Sequence, residues 1–410
     1  MQTLLERFLR YVKIDTQSND ESTTAPSTMK QFDLLRLLEK ELNELGLSNI
    51  SLSEHGVLMA TLPASVGHEK VPAIGYLAHV DTAPDASGTN VKPIVHENYN
   101  GKDIKLVATG EVLKVKDYPL LKKVKGHTVI TTDGTTLLGA DDKAGVAIIM
   151  SMLEYYKNNP EVKHGTIKIG FTPDEEIGAG VNNFDVKKFG ADFAYTLDGS
   201  ELGEIEDATF CASSATVTVT GLIIHPGYAK DKMINAVRIL SHLIAKLPLK
   251  ESPERTDKLQ GFFHPMDISG DVTSAKCKMI IRDFELSGLK KREKFLKALC
   301  KKIEKDFKGV KIKLEIKEQY KNMKYALKKD PRVVNYAIEA IKSVGVKPIL
   351  KAIRGGTDGA RLSFMGLLTP NIFDGGQNFH SVREWVSLEW MQKAVETTVA
   401  LNEIWVKKGR

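Results

Sequence analysis

The chain has 410 residues, 42% of them hydrophobic and 27% charged, with a formal charge of +6. That is enough for two or three domains with a sizeable core. The small basic excess, with no nucleic-acid-binding motif beside it, excludes nucleic acid as the expected partner, and no apolar run reaches the length of a membrane span. Three cysteines, at 211, 277 and 300, have no metal-ligand spacing and read as buried or free thiols of a reducing compartment, so a cytoplasmic location is expected.

In chain order, Leu4, Leu5, Phe8, Leu9 and Val12 mark an amphipathic N-terminal helix that contains acids and lacks the apolar centre of a signal peptide. Phe32, Leu35, Leu38, Leu42 and Leu45 give helical spacing over 28–46, ending at Gly46. VPAIGYLAHV, residues 71–80, is nearly continuous and apolar, as in a strand buried on both faces. A helix is predicted over 143–158, directly after an aspartate pair, with strands over 166–171 and 193–197. Strands alternating with helices predict an α/β fold, a mixed sheet with helices on both faces. In such sheets, sites gather at the carboxyl ends of strands.

The pattern changes near 210. ATVTVT at 215–220 alternates strictly, 233–247 reads as a helix, 276–284 as a strand and 290–307 as a helix. Val310, Ile312, Leu314 and Ile316 then alternate with lysines and a glutamate, a strand with one dry face and one solvated face. This order predicts a small α/β sandwich at 211–321, a lid domain inserted into a discontinuous catalytic domain of residues 1–210 and 322–410. After 330 come a helix over 333–344, a tight loop at 355–359 and a closing helix over 388–404.

The chemistry sits in short islands: His79-Val80-Asp81, Asp141-Asp142-Lys143, Asp174-Glu175-Glu176, Asp198-Gly199, His225-Pro226-Gly227 and Asn378-Phe379-His380. Imidazoles and carboxylates without thiolates suit zinc, with cobalt or manganese as less favoured substitutes. His79 and Asp81, two apart at a strand end, can face one side, and a metal-bound histidine usually needs a carboxylate on its other nitrogen, a role Asp81 can fill. The Asp141-Asp142 pair either caps the following helix or supplies a carboxylate that bridges two cations. Adjacent residues of a strand face oppositely, so Glu175 and Glu176 must sit in a turn to reach one site, one as ligand and the other as general base. Their mutual repulsion is what a cation removes.

The order and framing of these islands resemble the di-zinc exopeptidase family, which holds glutamate carboxypeptidases, dipeptidases and aminoacylases, and within it the tripeptide aminopeptidases. HVDT, LLGADDKAG, FTPDEEIG, LDGSELGE, HPGYAKDKMINA, IIRDFE, RGGTDGA and LSFMGLLTPN carry the resemblance, in order from about residue 5 to 405. It implies two zinc ions per subunit: His79 and Asp198 on one, Glu176 and His380 on the other, Asp141 bridging, and Asp142 in support. Asp81 would orient His79 and Glu175 would be the general base. The implied activity is release of the N-terminal residue from short peptides, chiefly tripeptides, by a monomer or homodimer. His225 would serve as a lid donor to the oxyanion. Arg282 and Arg354, with Asn235 as a neutral partner, are candidates for the substrate carboxylate, because bidentate arginine suits that group.

Two other readings stay open at this stage. One keeps the metal chemistry and changes the substrate to that of a dipeptidase, carboxypeptidase or aminoacylase. The other is a zinc-holding binding protein without turnover, whose mark would be a missing base or ligand. Tyr228 in HPGYAK and the stretch QNFHSVREW around His380 depart from the family's usual text and bear on pocket shape or peptide preference.

Overall fold

The apolar run that stops at His79 forms the strand Ile74–His79, buried at every residue. It lies in an eight-stranded sheet of order Ser48–Leu52, Leu58–Leu62, Ile167–Thr172, Ile74–His79, Phe193–Thr196, Asn371–Ile372, Glu204–Ala208, Ile349–Ala352. Ile74–His79 is parallel to both neighbours, whereas Leu58–Leu62 pairs antiparallel with Ile167–Thr172, so the sheet is mixed. Side chains alternate across a strand, and here both faces are covered. The Tyr76 hydroxyl donates to Thr398 O at 3.2 Å and Asn402 Oδ1 at 3.0 Å on the closing helix Leu388–Lys408. Leu77, facing the other way, packs with Phe184, Phe189 and Leu362. A strand with no wet face has no reason to alternate polar and apolar residues.

This computed structural model describes residues 2–409. The sheet belongs to the larger of two units, Met1–Asp207 with Ala326–Lys351 and Thr357–Arg410. Its long helix Ala140–Asn158 packs on Ile74–His79 and on Leu388–Lys408. A Cβ on Gly145 would lie 2.2 Å from Leu197 O and 2.4 Å from Asp142 Oδ1, so the helix approaches the chain just past Phe193–Thr196 only because this residue has no side chain. Gly145→Ala is expected to cost about 1–3 kcal/mol of stability by overpacking. An unchanged urea unfolding midpoint would show that the helix start has room to move.

The larger unit holds a second sheet that sequence patterning does not show: Gly376–Gln377, Trp385–Ser387, Val129–Thr132 and Pro93–His96, in that order. Its pairings are antiparallel. Pieces this short carry almost no periodicity, and Trp385–Ser387 finds its partner some 250 residues away in Val129–Thr132.

The smaller unit is Ala208–Tyr325 with Ala352–Gly356. It includes residues 352–356, which lie outside the expected inserted domain, 211–321. Its sheet is antiparallel, in the order Phe262–Gly270, Ser274–Asp283, Cys211–Thr220, Lys311–Tyr320. Val217, Val219, Met279 and Ile281 face the helices Ala236–Ala245 and Leu286–Asp306 through Leu240, Leu243, Leu296 and Ile303. The edge strand Phe262–Gly270 is absent from the sequence reading. It contains Pro265, and its last five residues are exposed, so neither alternation nor burial betrays it. The three cysteines are buried and unpaired within this unit. Among the described residues no helix is long and apolar enough to cross a membrane.

Candidate metal centre

Three parallel strands of the larger unit end side by side, and each hands the chain to an acid or a histidine. Ile74–His79 ends on His79, Ile167–Thr172 is followed by Pro173, Asp174 and the Glu175-Glu176 pair, and Phe193–Thr196 by Leu197 and Asp198. The glutamates share a site because the chain turns. Asp174 adopts the left-handed region at φ 54, which aspartate tolerates better than most residues. Gly178 N–H then donates to Glu175 O at 2.7 Å and Ala179 N–H to Asp174 O at 2.9 Å. The Asp174 carboxylate itself is turned away, accepting from Ser27 and from Gln31 Nε2.

Asp81, fully buried, braces this turn. Its Oδ1 accepts Glu175 N–H at 3.0 Å and its Oδ2 accepts Glu176 N–H at 3.2 Å. The same carboxylate lies 3.2 Å from His79 Nδ1, which is also 3.1 Å from the Asp81 carbonyl. That leaves His79 Nε2 facing the acids. Asp141 and Asp142 have non-helical backbone and are joined by a cis peptide bond. Their side chains part. Asp142 accepts His79 N–H at 3.1 Å and Gly145 N–H at 3.2 Å, a structural tie between strand and helix. Asp141 Oδ1 lies 2.9 Å from His79 Nε2, and its Oδ2 lies 3.4 Å from His380 Nε2.

Two groups of ligand atoms result, each within 4.8 Å: His79, Asp141 and Asp198 in one, Asp141, Glu176 and His380 in the other. Asp141 belongs to both. His79 Nε2 is 3.8 Å from Asp198 Oδ1, and His380 Nε2 is 2.8 Å from Glu176 Oε2. The five residues expected as ligands are therefore together, with Glu175 beside them. His380 is held in a loop where it and Asn378 both take left-handed backbone, φ 59 and 58, a conformation that non-glycine residues keep only when the surroundings enforce it.

The electrostatics ask for positive charge. Burial, then Asp198, pushes Glu175 well above the usual carboxylate range. Burial, then Asp141, pushes Glu176 up to about 7. Burial also raises Asp198 well above its ordinary value, against the pull of His79. The contacts to Asp141 and Glu176 push His380 up to about 11. Glu176 Oε1 is buried with no hydrogen-bond partner. An orphaned carboxylate oxygen is costly, and a cation is the partner that satisfies it. The donor set, imidazole and carboxylate, fits a divalent transition metal.

The remaining expected site residues lie in the smaller unit. His225 is exposed, its Nδ1 accepting Gly227 N–H at 3.2 Å, with the exposed Tyr228 ring 5.3 Å away. Asn235 caps Ala236–Ala245, accepting Arg238 N–H at 3.0 Å. Arg282 donates to Ser213 O at 3.3 Å and Ile281 O at 3.2 Å and lies over the Tyr320 ring. Arg354, expected in the larger domain, groups instead with the smaller unit. Its fork donates to Lys258 O, Gln260 O and Thr256 and stacks over Phe210 and Phe262.

Three further acids lie near the centre. Asp358 accepts from Thr172 Oγ1 at 2.9 Å, and its N–H donates to Glu175 Oε1 at 3.2 Å. Asp85 Oδ2 is 3.3 Å from His380 Nδ1. Glu384 accepts from backbone at the start of the Asp141 helix. None sits in an acidic run, and only the GGTDG loop hints at Asp358.

The chain is 48% identical over 409 residues to peptidase T of Clostridium botulinum, strain Langeland, and to peptidase T of Clostridium acetobutylicum, covering 100% of both chains in each case. Among solved structures it is similar in fold to an aminopeptidase PepT from Bacillus cereus, with TM-score 0.76, 24% identity and coverage of 99% and 98%. A tripeptidase from Staphylococcus aureus gives TM-score 0.78, 21% identity and the same coverage. A dinuclear metal-binding peptidase from Bacillus subtilis gives TM-score 0.67 at 14% identity, covering 98% of each chain. Residues 131–403, which include Asp141, Glu175, Glu176, Asp198 and His380, fit the description of peptidase family M20/M25/M40, and with full-length relatives at this identity the chain belongs to that family.

Proposed function

We propose that this protein is a zinc-dependent aminopeptidase that removes the N-terminal residue from short peptides, chiefly tripeptides. The observation that carries the reading is one carboxylate, Asp141, common to two ligand groups at the ends of parallel strands. The relatives' names supply the substrate class. A pair of divalent cations, when bound, would supply Lewis acidity for the peptide carbonyl and would acidify a water.

The chain's own residues do the rest. His79 and Asp198 would hold one cation, Glu176 and His380 the other, and Asp141 would serve both. Asp81 keeps His79 in the tautomer that leaves Nε2 for the metal, and through two N–H groups fixes the turn that aims both glutamates. Glu175 is the general base. Asp358 N–H holds its Oε1, and Oε2 takes the proton of the attacking water and returns it to the departing amine. Of the two arginines, Arg282 is the better candidate for the substrate carboxylate, since both terminal nitrogens of Arg354 are taken up by Lys258 O, Gln260 O and the carbonyl and hydroxyl of Thr256.

The test is an unblocked tripeptide with product identification. Free N-terminal residue plus dipeptide should form, stop with chelator and return with zinc. Cleavage at the C-terminal bond alone, or faster turnover of dipeptides or N-acyl amino acids, would move the protein to another activity of its family. Turnover that persists in metal-free protein would end the metal reading.

A further inference from the structure

Glu384 is 1% exposed, four residues beyond His380. Its Oε2 accepts Leu138 N–H at 2.7 Å and Gly139 N–H at 2.8 Å, and its Oε1 accepts Asp141 N–H at 3.0 Å. The first N–H groups of a helix have no partner within it. Here the cap residue, Gly139, has no side chain to offer them. A carboxylate from a distant loop does that work for Asp141 N–H, and through Leu138 and Gly139 N–H it also holds the chain that leads into the shared ligand.

The loop that bears Glu384 is itself braced. Ser381 Oγ donates to Asn378 O at 2.7 Å, Asn378 Nδ2 to Arg383 O at 3.1 Å, and Glu384 N–H to Ser381 O at 3.1 Å. The next residues, Trp385–Ser387, pair with Val129–Thr132. His380 and Asp141 thus stand on two segments joined through one side chain. We infer that Glu384 is a positioning residue for the dinuclear centre, fixing the backbone from which Asp141 reaches both ligand groups and tying it to the loop that carries His380. The inference rests on the metal reading above.

The need is for acceptors. All three partners are donors, and a carboxylate offers acceptors only. Glu384→Gln preserves shape, yet its NH₂ must face either Asp141 N–H or the Leu138 and Gly139 pair. One side of the brace is then lost without a change of volume. Because Asp141 belongs to both groups, its displacement should weaken both cation sites together. Removing the His380 imidazole should weaken one.

Zinc titration of metal-free protein by calorimetry tests this. In folded Glu384→Gln both binding events should weaken by about 10–100-fold, the usual cost of losing a residue that supports a metal ligand. His380→Ala should lose only one. A role limited to stability would lower the unfolding midpoint and leave the zinc affinity of the folded variant alone. Both events at unaltered affinity in that variant therefore overturn the inference. Should the variant not fold, hydrogen exchange of the unaltered metal-free protein decides. Protected Leu138, Gly139 and Asp141 amides support the brace, and fast exchange there overturns it. An unaltered chain that binds no zinc removes the metal reading and this inference with it.

Discussion

Glu175→Gln should hold both cations as tightly as the unaltered protein and turn over tripeptide about 10²–10⁴-fold more slowly. Glu175 is in neither ligand group, so metal binding has no reason to change. The amide oxygen of glutamine can still accept Asp358 N–H, now at 3.2 Å from Glu175 Oε1, which keeps the side chain in place. What disappears is the oxygen that takes a proton. Alanine removes the same acceptor but also leaves that N–H unpaired in a buried site, so glutamine gives the cleaner result. The loss should fall on kcat, with KM within a few-fold, because the proton moves only as the bond breaks. Zinc content measured with the kinetics separates the possibilities. Normal turnover would remove Glu175 from the mechanism, and loss of zinc would make it a ligand.

The same glutamate shows what the sequence reveals and where it stops. FTPDEEIG marks a strand that ends in acids, and a pair of adjacent glutamates must turn to reach one site. The structure supplies that turn through Asp174 at φ 54 and through the brace from Asp81. Which of the two becomes ligand depends on a few dihedral angles that no periodicity records. Only the resemblance to a family assigned the roles. His79 and Asp198 were legible because a strand buried on both faces reads as an unbroken apolar run that stops at the site. Asp358 and Glu384 were not, since each is a single acid whose burial and partners come from segments far away in the chain. The small second sheet and the edge strand Phe262–Gly270 escaped for a related reason. Strands of two to four residues have no period to detect, and an exposed edge strand has no dry face.

Asp141→Ala should abolish the centre as a pair, with neither cation bound at its former affinity. Each ligand group has three side chains, and this one is common to both. Without it, one site keeps His79 and Asp198 and the other keeps Glu176 and His380. Two protein donors make a poor site for zinc, which takes three in catalytic centres and four in structural ones. The loss should exceed the ~10–100-fold typical of a supporting residue, and turnover should fall with it. Asp142→Ala provides the contrast. Asp142 accepts His79 N–H and Gly145 N–H and belongs to neither group. Its removal takes an acceptor from two buried N–H groups, at a cost of about 1–3 kcal/mol for each one left unpaired. Asp142→Ala should therefore lower the unfolding midpoint more than the zinc affinity of the folded chain, and Asp141→Ala should do the reverse. Zinc stoichiometry and urea unfolding on the two variants read both quantities. If Asp141→Ala still binds two zinc ions at the unaltered affinity, the carboxylate shared in the structure is not shared between metals, and the assignment of a bridging ligand passes to another acid of the site.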